Sequence, residues 1–85
     1  MEWINELKEM RKQIDKIDEE ILILLNKRIQ LCMQIAEIKK KANLQLEDHN
    51  RENEIFQRVG RFKPVFEEII RLCKNIEKTI INEDK

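Results

Sequence analysis

Residues 3–41 form an unbroken stretch without glycine or proline, WINELKEMRKQIDKIDEEILILLNKRIQLCMQIAEIKKK. Apolar residues recur along it at alternating steps of four and three, which is the heptad seam of a helix that packs against other helices. The seam positions are Trp3, Leu7, Met10, Ile14, Ile17, Ile21, Leu24, Leu31, Ile35 and Ile38. The pattern predicts one long helix from about residue 3 to about residue 41.

The composition of the whole chain is that of a helical protein. Charged residues make up 40% of the 85 residues, against one Gly, one Pro and no Tyr, which is typical of long, solvent-exposed helices. The fold class is therefore predicted to be all-α, in a single domain over residues 1–85. Seventeen basic residues balance seventeen acidic ones, so no net charge attracts the chain to nucleic acid or to an anionic membrane.

The N-terminus and the cysteines predict the compartment. Residues 1–6 are MEWINE, which is acidic where a secretory signal is basic, and no apolar run is long enough to span a membrane. Cys32 and Cys73 lie within apolar helical patterns and have no motif partner. We expect two buried, reduced thiols rather than a disulfide or a metal site. These features predict a cytoplasmic protein.

The remaining sequence predicts two further helices. The apolar period is lost over a loop at about residues 42–47. Asp48 is suited to N-cap a short helix at about residues 48–60, whose last residue is a glycine. Proline at position 64 suits the first turn of a medium-length helix at about residues 64–81. The chain is thus predicted to contain three helices, one long, one short and one medium.

The length of the first helix predicts a dimer. About 38 residues of helix measure roughly 57 Å, whereas a compact chain of 85 residues has a radius of gyration of about 12 Å. The two shorter helices cannot cover the whole seam, so the remainder needs an apolar partner. A second copy of the chain is the simplest one. We therefore predict an obligate homodimer in which the long helices pack together.

Arg28 interrupts the apolar seam between Leu24 and Leu31. A guanidinium at a core position is unfavourable unless an anion pairs with it. Arg28 could set the helix register or extend to solvent, or it could bind an anionic ligand together with Lys39. Lys39 lies about 20° around the helix from Arg28 and roughly 16 Å along it. Long side chains at these positions could converge on one ligand.

Arg11 is about 25 Å from Arg28 along the same helix, too far to share a small ligand within one chain. In an antiparallel dimer whose two-fold axis lies near the middle of the seam, Arg11 of one chain would lie between Arg28 and Lys39 of the other. The three cations would repel one another without an anion. This arrangement predicts a small polyanionic ligand inside the bundle, in two copies per dimer.

Four segments then carry a family pattern: residues 10–18 (MRKQIDKID), 24–28 (LLNKR), 35–39 (IAEIK) and 48–52 (DHNRE). They contain an arginine before an Ile-x-x-Ile-Asp helix, an arginine after a leucine pair, a lysine, and an acidic-x-x-Arg-Glu helix start. In combination these residues resemble the all-helical chorismate mutases over nearly the whole chain. The resemblance implies an intertwined helical homodimer that converts chorismate to prephenate, a step towards phenylalanine and tyrosine.

The resemblance also implies roles for the basic residues. Arg28 and Arg51 would bind the carboxylates of the substrate, joined by Arg11 from the other subunit. Lys39 would donate a hydrogen bond to the ether oxygen of the breaking bond. The substrate would be a dianion held by cations from two chains.

The remaining implied roles fall on acidic residues and on the last helix. Glu52, with the backbone near Asp48, would hold the ring hydroxyl of the substrate. Aligning the last helix on its apolar pairs places Cys73 where relatives often have serine. The same alignment places Glu77 where many relatives have a glutamine that also donates to the ether oxygen. At these two positions the chain departs from the family pattern.

A pericyclic rearrangement explains why the sequence holds no conventional catalytic motif. One C–O bond breaks as one C–C bond forms within a single molecule, so we expect no nucleophile, metal or cofactor. Under the resemblance, the protein would hold the flexible dianion in its compact conformation and direct fixed donors at the ether oxygen. A protonated Glu77 could donate there, and we hypothesise that it acts in this form. Alternatively, Glu77 turns outward and the site relies on Lys39.

Two other functions are compatible with the same sequence. An isochorismate pyruvate lyase would use this scaffold for a related pericyclic elimination, and residue spacing separates it poorly from a mutase. A non-catalytic helical dimerisation module would use Arg28 only to fix register. The module predicts that Arg28→Leu stabilises the dimer without loss of activity, whereas a substrate site predicts lost turnover in an intact fold.

Overall fold

The computed structural model describes residues 1–82 and is all-helical. Helix α1 spans Glu2–Ala42, α2 spans His49–Val59 and α3 spans Lys63–Ile81. Helix makes up 90% of the structure, and the described residues contain no strand. None of these helices is long and apolar enough to cross a membrane. The all-α prediction is confirmed.

The second and third predicted helices are joined. A 3-10 turn over Gly60–Phe62 follows α2 directly and leads into α3 without a loop. Gly60 has a φ of +56°, which glycine adopts without a Cβ penalty, and the Lys63 N–H still donates to the Gly60 carbonyl. Pro64 lies in the first turn of α3, where its missing N–H costs no helical hydrogen bond. The prediction of three separate helices is therefore wrong: the described chain has one long helix and one joined helical segment.

A short loop over residues 43–48 follows α1. Asn43 has φ 55° and ψ 43°, the left-handed conformation in which many helices end. At the other end of the loop, Asp48 caps α2, because its Oδ1 accepts a hydrogen bond from the Arg51 N–H at 3.0 Å. This cap confirms the predicted role of Asp48 at the helix start. The loop thus connects α1 to α2, and α3 then packs against both helices.

The core lies where α3 packs against α1 and α2. The buried side chains are Cys32 and Ala36 from α1, Ile55 from α2, and Ile70, Cys73 and Glu77 from α3. Both cysteines are free, so the predicted burial of two unpaired thiols is confirmed. No large side chain is fully buried in the part of the chain that the structure describes. The hydrophobic core of one chain is therefore small.

The N-terminal half of α1 extends beyond this core with its seam exposed. The structure measures 61 × 27 × 15 Å with a radius of gyration of 17.7 Å, against about 12 Å for a compact chain of this length. On the seam, Ile14 is 54% exposed, Ile17 53% and Leu24 63%. The chain's own helices leave this apolar stripe without cover.

Candidate active site

A cavity of about 350 Å³ opens between α1, α3, the first turns of α2 and the 43–48 loop. Its volume falls among small-molecule sites, which measure about 300–1,000 Å³. Seven residues that the sequence predicts for a substrate site line it: Arg28, Lys39, Asp48, Arg51, Glu52, Cys73 and Glu77. The apolar side chains of Leu31, Ile35, Ile55 and Ile70 line it as well. The cavity therefore combines convergent charges with apolar walls.

Arg28 contacts two sulfur atoms at the α1–α3 contact. Its Nη1 lies 2.9 Å from Cys73 Sγ and 3.8 Å from Cys32 Sγ. Burial, followed by the hydrogen bond and charge of Cys73, raises the pKa of Cys32 to about 12, although the Arg28 charge acts in the opposite direction. The Cys32 thiol is therefore neutral near neutral pH. Within residues 1–82 the guanidinium pairs with no carboxylate, so its charge is available to an anionic ligand.

Lys39 and Glu77 approach each other at the wall of the cavity. Lys39 Nζ lies 3.6 Å from Glu77 Oε1, and the two side chains are 17% and 9% exposed. Lys39 Nζ also donates to the Leu46 carbonyl oxygen at 2.7 Å, which holds the ammonium between the loop and α3. Because an ammonium carries three N–H donors, at least one is left for a ligand atom. Glu77 faces the cavity and not the solvent.

The first turn of α2 contributes Asp48, Arg51 and Glu52 to the cavity. The Asp48 carboxylate accepts the capping hydrogen bond from the Arg51 N–H. The Arg51 guanidinium is 55% exposed and lies 3.1 Å from Glu54 Oε2. An exposed ion pair of this kind contributes only about 0–1 kcal/mol. Arg51 can therefore exchange Glu54 for a ligand carboxylate at little cost.

Arg11 lies outside the cavity of its own chain. It is exposed on the N-terminal half of α1, about 25 Å along the helix from Arg28. Within one chain it cannot reach a ligand that Arg28 binds. Its role in substrate binding requires a second chain and stays a prediction.

Among the groups at the cavity that the sequence prediction does not include are the Lys74 side chain and the Leu46 carbonyl, which contacts Lys39. Lys74 follows Ile70 by four residues and precedes Glu77 by three. Residues at these spacings lie on one face of a helix, so the sequence carries a signal for Lys74. No such signal marks Leu46, because every residue has a backbone carbonyl.

The sequence profile described as Chorismate mutase type II matches residues 10–78. This chain belongs to the type II chorismate mutase family. The match begins in the first quarter of α1 and ends near the C-terminal end of α3. The matched range therefore includes Arg11 and every residue that lines the cavity of this chorismate mutase family member.

Individual chorismate mutases and one solved structure are similar to the chain. The bifunctional chorismate mutase/prephenate dehydratase of Aquifex aeolicus is 44% identical, over 91% of this chain and 25% of that protein. The chorismate mutase of Methanocaldococcus jannaschii is 41% identical, over 91% of this chain and 70% of that protein. A conserved hypothetical protein from Pyrococcus furiosus superposes with a TM-score of 0.82 at 45% identity, covering 84% of this chain and 93% of that one. The chain thus spans a quarter of the length of the Aquifex protein and most of the other two.

Proposed function

We propose that this chain catalyses the rearrangement of chorismate to prephenate, an isomerisation in the biosynthesis of phenylalanine and tyrosine. The observation that carries the proposal is the Arg28 guanidinium, which lines the same cavity as Lys39 and has no carboxylate partner among residues 1–82. Chorismate carries two carboxylates and would supply the missing anion. Relatives named chorismate mutase, at 44% and 41% identity, support the same reaction.

The charges around the cavity support a dianionic substrate. The basic side chains that line it are Arg28, Lys39, Arg51 and Lys74, and the acidic ones are Asp48, Glu52 and Glu77. With Glu77 protonated, as its proposed donor role requires, one chain contributes a formal excess of two positive charges. Arg11 from a second chain would raise this excess to three, which favours a ligand with two carboxylates.

In the proposed mechanism the side chains bind, fold and polarise the substrate. Arg28 and Arg51 hold its carboxylates, which restrains the flexible dianion in the compact conformation where the new C–C bond can form. Lys39 directs an N–H at the ether oxygen, where negative charge develops as the C–O bond breaks. Both bonds change within one molecule, and no proton leaves the substrate. The chemistry is therefore carried by positioning and by fixed charges.

The proposal includes a homodimer in which Arg11 crosses the interface. Burying the exposed half of an Ile or Leu side chain contributes about 1 kcal/mol, and α1 presents a row of them. Exposed seam residues on α1 are Leu7, Ile14, Ile17, Ile21, Leu24, Leu31, Ile35 and Ile38. A second α1 packed antiparallel would cover this row and would bring its Arg11 towards the cavity. The small core of the single chain supports this assembly.

The proposed setting is the cytoplasm. Cys32 and Cys73 are free and buried in the described chain, and thiols stay reduced in that compartment. Cys73 contacts Arg28 through its sulfur, so a reduced thiol belongs to the proposed site.

Purified protein is expected to consume chorismate and to release prephenate. The assay follows the loss of chorismate absorbance and identifies the product by mass spectrometry. The same preparation is given isochorismate, from which a lyase on this scaffold would release pyruvate. Prephenate from chorismate supports the mutase, and pyruvate from isochorismate alone would assign the lyase. Release of neither product would leave a non-catalytic dimerisation module.

Glu77→Gln is expected to flatten the pH dependence of turnover. If the Glu77 carboxyl donates to the ether oxygen, it can do so only in its protonated form, so the proposed donor role makes wild-type turnover depend on pH. A glutamine amide donates at every pH. The measurement is kcat against pH for both proteins, with the exposed Glu67→Gln as the control that keeps the wild-type profile. A Glu77→Gln profile identical to that of the wild type would refute the donor role.

A further inference from the structure

Lys74 is a fourth cation of the cavity, and it contacts the carboxylate of Glu52. Its side chain is 26% exposed and projects from α3 towards the first turn of α2. Lys74 Nζ lies 3.0 Å from Glu52 Oε1 and 3.0 Å from Glu52 Oε2. A weaker contact of 3.8 Å joins the same nitrogen to Glu47 Oε1 in the 43–48 loop. Lys74 thus connects α3 to α2 and to the loop beside the cavity.

The two carboxylate oxygens of Glu52 are not equivalent. Oε1 accepts a hydrogen bond from Lys74. Oε2 is buried and has no hydrogen-bond partner among the described residues, although the Lys74 charge lies close to it. The Lys74 ammonium at 3.0 Å compensates the charge of this buried oxygen. Glu52 also lines the cavity, so its carboxylate can accept a hydrogen bond from a hydroxyl group of a ligand there.

Lys74 also balances the charge of Glu52. The Glu52 side chain is only 17% exposed, and within residues 1–82 its carboxylate pairs with no cation except Lys74. Without that ammonium, a partly buried negative charge would face a dianionic substrate. The carboxylate would also lose the contact that fixes its orientation.

We propose that Lys74 is a positioning residue, which holds Glu52 so that its carboxylate accepts a hydrogen bond from the ring hydroxyl of the substrate. This inference rests on the proposed function and deepens it, because it names the residue that sets the preference for a hydroxylated ring. Lys74 acts through Glu52 and does not touch the atoms that react. Its loss therefore reduces discrimination between a substrate with the hydroxyl and one without it.

The test compares kcat/KM for chorismate and for its analogue in which the ring hydroxyl is replaced by hydrogen. Lys74→Met keeps the aliphatic stem and removes the charge. We expect kcat/KM for chorismate to fall about tenfold to a hundredfold, the loss that follows when a charged hydrogen bond is removed. The preference for chorismate over the analogue falls about tenfold, while Lys74→Arg retains most of it. General repulsion of the dianion would affect both substrates equally and would leave the preference unchanged.

A double-mutant cycle separates action through Glu52 from action on the fold. In the Glu52→Gln background, Lys74→Met is expected to change kcat/KM by less than about twofold, because the carboxylate on which it acts is gone. Lys78→Met, an exposed lysine one turn along α3, keeps wild-type values in both backgrounds. Glu47→Gln, which removes only the loop contact, keeps the wild-type preference.

Each outcome has one interpretation. If the wild type rearranges chorismate and Lys74→Met keeps the full preference for the hydroxylated substrate, Lys74 is not a positioning residue, while the proposed function stands. If the wild type does not rearrange chorismate, the proposed function itself fails. Circular dichroism checks that each variant keeps its helix content, and Lys74→Gln replaces Lys74→Met if the latter does not fold.

Discussion

Arg28→Ala is expected to lower kcat/KM for chorismate by about a hundredfold to a thousandfold, since truncating one partner of a buried charge pair costs about 2–5 kcal/mol. The guanidinium lines the cavity, and its hydrogen-bond partners within residues 1–82 are the sulfur atoms of Cys32 and Cys73. Replacing Arg28 removes a group that binds a substrate carboxylate, but it breaks no ion pair with a carboxylate of the described protein. Steady-state kinetics measure the loss, and thermal unfolding measures stability in parallel.

The matched control for this variant is Arg71→Ala. Arg71 is exposed on α3 and pairs with Glu68, outside the cavity, so its replacement should leave kcat/KM at the wild-type value. Arg28→Leu adds a second comparison. A dimerisation module would gain stability from Arg28→Leu with no loss of turnover, because the leucine restores an apolar seam. Full activity in Arg28→Ala would rule out the proposed substrate contact.

We expect Arg11→Ala and Arg28→Ala each to be nearly inactive as a homodimer. When the two variants are refolded together in equal amounts, the mixture is expected to recover about a quarter of wild-type activity. Half of the dimers would contain one chain of each kind. In such a dimer the chain that keeps Arg28 receives Arg11 from its partner, so one of the two sites is complete. The other site lacks both arginines. The recovered activity is measured per total protein after co-refolding.

The control for this mixing experiment is the pair Arg28→Ala and Lys39→Ala. Both side chains line the cavity of their own chain, so neither site of the mixed dimer is complete and no activity returns. Activity in the Arg11 and Arg28 mixture that equals only the average of the two homodimers would mean that Arg11 does not cross the interface. Sedimentation of the mixture reports whether dimers have formed.

Much of the fold could be predicted from local sequence signals. The α1 seam shows in apolar spacing alone, since a heptad pattern depends only on neighbours within the same helix. Asp48 caps α2 through a hydrogen bond to a residue three positions away. The joined α2–α3 segment was harder, because a glycine and a proline four residues apart are also typical of loops. Gly60 marks the turn and has a φ of +56°, but no pattern in the sequence indicates that α3 begins directly after this turn.

The residues of the candidate site also differ in how far local sequence signals predict them. Arg28 stands out because a charge interrupts an apolar seam, and this signal is local. The spacing of Lys74 from Ile70 and Glu77 places it on the same helix face, but its contact with Glu52 cannot be predicted locally, because Glu52 lies twenty-two residues away on another helix. The sulfur contacts of Arg28 likewise arise only when α1 packs against α3. Periodicity places residues on a face but does not specify what meets them across the core.

Because α1 is one continuous helix, it fixes the distances between the residues along it. Arg11, Arg28 and Lys39 stand on one rigid rod of 41 residues, so their separations are multiples of the helical rise. One inserted residue would turn everything beyond it by about 100° and advance it by about 1.5 Å. Under the dimer proposal such an insertion between Arg11 and Arg28 would misalign both sites at once. Relatives with this architecture should therefore vary in length within the loop that corresponds to residues 43–48, and hardly at all within the helix that corresponds to α1.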